Sequence, residues 1–96
     1  MTWIPVIPPQ QAEGELRTAY EMVYSLYPPE YQQAIDAVRK ADGTTDSIVA
    51  VHSLMPRALL HSMSAYGAML APDLPLSRRQ HEMIATVVSA LNSCFY

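Results

Sequence analysis

The stretch SRRQHEMIATVVSALNSCFY, residues 77–96, decides the fold class. Ile84, Val87, Val88 and Leu91 recur at the three- and four-residue spacing of one helix face, and Cys94 and Phe95 continue it if the helix does. The start is written in as well, because Ser77 followed three residues later by Gln80 is a capping box. Asn92 and Ser93 are poor helix-interior residues and good N-caps, so the long helix is expected to end there and a new one to begin. Cys94 would then occupy the first turn of that new helix, where the dipole favours a thiolate. A single cysteine on an apolar stripe also has a plainer reading, as a small buried hydrophobe.

Upstream, the same periodicity returns with interruptions. Residues 1–12 carry Pro5, Pro8 and Pro9, which deny backbone donors and hold their neighbours extended. They read as an arm, with Trp3, Ile4, Val6 and Ile7 as apolar anchors. From Glu13, the residues Leu16, Ala19, Tyr20, Val23, Leu26 and Tyr27 trace a helix that stops at Pro28-Pro29. A second, short helix is expected over about Glu30 to Ala41, with Ala34, Ile35 and Val38 inward and Gly43 as its C-terminal cap. SIVAVHSL reads as a short helix capped by Asp46 or Thr45, although its β-branched residues also suit a strand. Pro56 fits the first turn of a stronger helix running to about Leu70, with Leu59, Met63, Tyr66 and Leu70 in one stripe. Gly67 interrupts that stripe at a cost of roughly 1 kcal/mol in helix propensity, which a close approach by a neighbouring element would justify. The expected fold class is all-α, a bundle of about four or five helices behind the arm.

Composition narrows the function. Half of the 96 residues are apolar and only 16% are charged, against about 25% in an average soluble domain. Apolar surface that meets a partner or a second copy is the implication. A net charge of −3 gives no basic footprint, so neither nucleic acid nor an anionic membrane is an expected partner. The apolar end of the chain falls short of the ~20 residues a spanning helix needs, and the proline-bearing start is no signal peptide, so a soluble, cytoplasmic protein is expected. With one cysteine, an internal disulfide is impossible.

Among the residues able to carry chemistry, Glu82 stands one turn into the last helix. Its simplest role is an exposed acid offsetting Arg78 and Arg79. Ten to twelve helical residues span about 15–18 Å, so Glu82 and Cys94 cannot touch along a straight helix, and a fold-back must lie between them if they cooperate. His52, His61 and His81 lack the spacing that sets two ligands on one helix face, so no metal site and no cofactor is expected. The methionines and tyrosines read as core or interface filler. No nucleotide-binding loop or serine-hydrolase motif is present.

Taken together, WIPVIPP with GELRTAYEMV, then VHSLMPRALLHSMSAYGAML, and finally LSRRQHEMIATVVSALNSCFY resemble the N-terminal half of the alkylhydroperoxidase D-like, carboxymuconolactone decarboxylase superfamily. The "peroxidase-related" branch is the nearest. That family's motif is a glutamate, eleven intervening residues, and then Cys-x-x-Cys-x-x-x-His. Glu82 and Cys94 match its glutamate and first cysteine, while its second cysteine and histidine have no counterpart in the 96 residues. The resemblance implies an all-helical, oligomeric thiol oxidoreductase that reduces a peroxide and is recycled by a thiol reductant. It also implies that Glu82 serves a histidine relay rather than touching Cys94.

Peroxide reduction needs a thiolate, an acid for the leaving oxygen and a resolving thiol. The chain supplies one thiol and one carboxylate, so it is expected to be a truncated or incomplete version with little or no turnover of its own. The competing expectation is a non-catalytic helical module whose apolar faces oligomerise or bind a partner.

Overall fold

The computed structural model describes residues 3–32, 35–38, 41 and 47–94. Among these residues there is no strand, and the chain is built from three α-helices, α1 (Gly14–Ser25), α2 (Pro56–Met69) and α3 (Arg78–Leu91), joined by loops and single 3₁₀ turns. The all-α class holds, but the four or five helices expected are three.

The missing ones are instructive. Where a helix over about Glu30 to Ala41 was expected, two isolated 3₁₀ turns stand instead, Pro29–Gln32 and Asp36–Val38. Ile35, one of the residues expected to face inward, is 61% exposed. With Ile35 in solvent, so short a segment gains little from that residue to offset the cost of nucleating a helix. Ala34 and Gly43 lie outside the described residues. The helix expected over SIVAVHSL is likewise one 3₁₀ turn, Ala50–His52. Thr45 and Asp46, the expected caps, lie outside the described residues; the N-cap position of the turn is Val49, and the Ser47 hydroxyl accepts from the Ala50 N–H at 3.1 Å.

The core lies between α1 and α2. Leu16, Ala19, Tyr20 and Val23 come from one face of α1, Leu59 from α2, and Ala12 and Val49 from the flanking loops, with Ile7, Tyr27, Leu60 and Met63 packed around them. Gly67 is a point of close approach between α2 and the end of α1. A Cβ built there would lie 2.8 Å from the Cβ of Leu26, the residue that caps α1. The close approach expected from the glycine is present, and it explains why a helix breaker is tolerated inside α2.

Hydrogen bonds fasten the arm at Ile7. Ile7 donates its N–H to Ser53 Oγ at 2.8 Å, and its carbonyl accepts from the Tyr20 hydroxyl at 2.7 Å. Ser53 is almost completely buried, and its hydroxyl serves the extended part of the arm. Pro9–Gln11 instead form a 3₁₀ turn, with the Gln11 N–H on the Pro8 carbonyl at 2.9 Å, a correction to the arm as extended throughout. Of the expected anchors, Ile7 and Val6 are half-buried, whereas Ile4 is exposed and Trp3 is fully so. The anchoring reading is therefore corrected for Trp3 and Ile4.

Helix α3 stands apart. It is entered through the Pro72–Pro75 connector and begins with the expected capping box, the Ser77 N–H reaching Gln80 Oε1 at 2.8 Å and the Gln80 N–H reaching Ser77 Oγ at 3.3 Å. None of its residues is buried. A radius of gyration of 14.2 Å, above the ~13 Å of a compact 100-residue domain, agrees with a helix that the core does not enclose. No helix among the described residues is long and apolar enough to cross a membrane.

Candidate functional site

Glu82 is held by its surroundings. The capping box fixes the first turn of α3, and one turn later the Arg78 guanidinium lies 2.8 Å from Glu82 Oε1. The same oxygen accepts from the Tyr31 hydroxyl at 3.2 Å. Arg78 also sits over the Tyr31 ring, 4.9 Å from its centroid, a cation–π contact that orders all three groups. Tyr31 comes from the 3₁₀ turn that replaces the expected second helix. The simple reading of Glu82 as an acid offsetting Arg78 describes the observed pair, and the tyrosine is an addition to it.

Cys94 lies at the other end of α3 and is exposed. The helix terminates in a Schellman motif: the Ser93 N–H bonds to the Ala90 carbonyl at 3.1 Å and the Cys94 N–H to the Ser89 carbonyl at 2.9 Å. Ser93 takes the left-handed conformation that this motif demands, with φ of 51°. The long helix thus ends at Asn92 and Ser93 as expected. Cys94 belongs to the closing turn of α3, and the new helix whose first turn it was expected to occupy would run on into residues 95 and 96, outside the described set. Glu82 and Cys94 stand about 18 Å apart along the axis and do not meet.

What Glu82 does meet is a row of tyrosines. Tyr20 and Tyr24 stack, Tyr24 meets Tyr27 edge-on, and Tyr27 meets Tyr31 and Tyr66 edge-on, with successive ring centroids 5.8–6.0 Å apart. The Tyr31 and Tyr66 hydroxyls lie 3.5 Å from each other, and the Tyr27 hydroxyl points at Met63 Sδ, also at 3.5 Å. Packing strips water from these phenols and raises their pKa values: burial is the first cause for Tyr20, Tyr24, Tyr27 and Tyr31 alike. Tyr31 is shifted furthest, its hydrogen bond with Tyr66 and the charge of Glu82 adding to burial while Arg78 opposes them. The sequence carried a signal for the row: Tyr20, Tyr24, Tyr27 and Tyr31 recur at steps of four, three and four. Read as filler, and broken by Pro28-Pro29, that stripe was missed.

Beside the row, Leu26, Tyr27, Pro28, Leu70, Pro72 and Arg78 are among the residues lining an open groove of ≈ 530 Å³. His81 also lines it, and its Nδ1 is buried without a hydrogen-bond partner among the described residues. His52 is satisfied by the Ile48 carbonyl at 2.8 Å, and His61 is exposed. Among the described residues, no group of three His, Cys, Asp or Glu side chains is disposed to hold a metal ion. Compared with protein-family models, with curated proteins and with solved structures, the chain matches none of them.

Proposed function

We propose that the chain is a helical unit of the alkylhydroperoxidase D-like, peroxidase-related type, a thiol oxidoreductase by descent, with little or no peroxide turnover of its own. The observation that carries this reading is the use the fold makes of the two motif residues. Glu82 is fixed one turn into α3, and Cys94 is exposed on the left-handed turn that ends the same helix. What supports the reading is that α3 ends in a closing turn at Cys94, since a glutamate–histidine–cysteine relay needs the helix carrying the glutamate to end at the cysteine. In this reading Cys94 supplies the thiol and Glu82 the carboxylate of the relay, peroxide and a thiol reductant are the reaction partners, and no cofactor takes part.

The chemistry also sets the limit on activity. A thiolate attacking a peroxide O–O bond becomes a sulfenic acid and releases an alcohol, and a second thiol must then condense with it, expelling water. The single cysteine cannot do both. With a dithiol reductant and excess peroxide, turnover should be close to background, while one equivalent of peroxide should make Cys94 reactive toward a sulfenic-acid trap. Robust turnover abolished by Cys94→Ser would overturn the first expectation, and failure of the trap to label Cys94 would overturn the thiol reading.

A specific observation favours a second reading, a non-catalytic association module. Ile84, Val87, Val88 and Leu91, the apolar stripe of α3, are all more than half exposed. A stripe of this kind is suited to another helix, in a homo-oligomer or a partner. Sedimentation separates the cases, since a stable, well-folded monomer counts against obligate association.

A further inference from the structure

Hydrogen bonding sets one tyrosine apart from the rest of the row. At centroid separations of 5.8–6.0 Å edge-on or offset rings are in van der Waals contact, so an electron can pass between them without a bridging group. A phenol gives up an electron readily only if its proton leaves with it. The Tyr27 hydroxyl faces a thioether and the Tyr20 hydroxyl a backbone carbonyl, neither of them a base. Among the described residues, Tyr31 is the one member of the row that hydrogen-bonds a carboxylate, Glu82, which the Arg78 guanidinium holds in place. A phenol keeps its proton throughout the neutral range, and the Tyr31 ring is exposed enough for an oxidant to reach it.

We infer that Tyr31 and Glu82 form a proton-coupled oxidation site, at which the chain quenches one-electron oxidants of the peroxyl-radical class. The step balances as follows: one electron leaves Tyr31 for the peroxyl radical, giving a hydroperoxide anion, and the phenolic proton moves to Glu82, leaving a tyrosyl radical and a neutral carboxyl group. Tyr66, whose hydroxyl lies 3.5 Å from that of Tyr31, then gives a hydrogen atom to the Tyr31 radical, so the radical is shared between the two rings. This site uses no thiol. It stands independently of Cys94, and its test belongs in the Cys94→Ser chain, where a negative result leaves the thiol reading untouched.

The experiment is flash oxidation of that chain by photogenerated tris(bipyridine)ruthenium(III), following tyrosyl radical by absorbance and electron paramagnetic resonance. A fast phase with a solvent deuterium isotope effect is expected. Tyr31→Phe should remove it, and Glu82→Gln should slow it by about 100-fold, the low end of what a positioned base contributes. Glu82→Asp, which keeps a carboxylate, should recover part of the rate, and circular dichroism checks that each variant keeps its helices. Absence of the fast phase from the Cys94→Ser chain, or equal rates and isotope effects in Glu82→Gln and its parent, would overturn the inference and leave the row as packing.

Discussion

Helices α2 and α3 are both fourteen residues long, and both carry an apolar stripe at helical spacing. On α2 the stripe reaches Leu59, which is 0% exposed, while on α3 it ends at Leu91, which is 81% exposed. Proximity makes the difference: α2 is pulled against α1 where Gly67 lets Leu26 approach, and α3 is carried away from that pair by a connector with two prolines. An apolar stripe therefore reports a capacity to pack, and the loops decide whether that capacity is used.

The largest expected effect breaks the comparison if it fails. Leu59→Ala should cost about 2–5 kcal/mol in urea unfolding, the range for emptying a buried leucine site, whereas Leu91→Ala should stay within about 0.5 kcal/mol. Equal losses would mean that the α3 stripe is covered in solution. Next, Gly67→Ala should destabilise by about 1–3 kcal/mol through overpacking against Leu26. In a Leu26→Gly chain the same change should instead favour the helix by about 1 kcal/mol, a reversal that a double-mutant cycle would display. Tyr20→Phe, which leaves the Ile7 carbonyl without its donor, should cost about 1–3 kcal/mol and expose the arm to proteolysis.

The smaller effects sharpen the contrast. Ser77→Ala should weaken α3 by about 0.5–2 kcal/mol, yet a helix outside the core should fray without moving the global midpoint, so hydrogen exchange should rise along α3 and not in α1. Alkali should act on the other side. The raised phenol pKa values mean that the tyrosine contribution to stability is whole below the ordinary tyrosine value of 10.0 and is lost as pH rises through the higher folded values. A tyrosinate absorbance titration should therefore lag that of free tyrosine and accelerate as α1 and α2 separate.

Helices α1 to α3 were legible because Leu16 to Val23, Leu59 to Met63 and Ile84 to Leu91 keep their period, and because Pro56 and Ser77 mark starts. The weak segment after Pro28-Pro29 was not, since Ile35 has the right character for a helix face but no surface to bury against. For the candidate site, Glu82 and Cys94 were visible through their spacing. Tyr31 and Tyr66 were not, since their hydroxyls meet only when a turn and a helix far apart in the chain come together.

Ser93 holds a left-handed backbone without being glycine. Glycine would adopt that conformation at less cost, so Ser93→Gly is a route to a firmer helix end. The stop at the end of α3 also works as an anchor: two backbone hydrogen bonds and one torsion tie the Cys94 backbone to the last turn, so a reagent meets its exposed side chain at a fastened helix end.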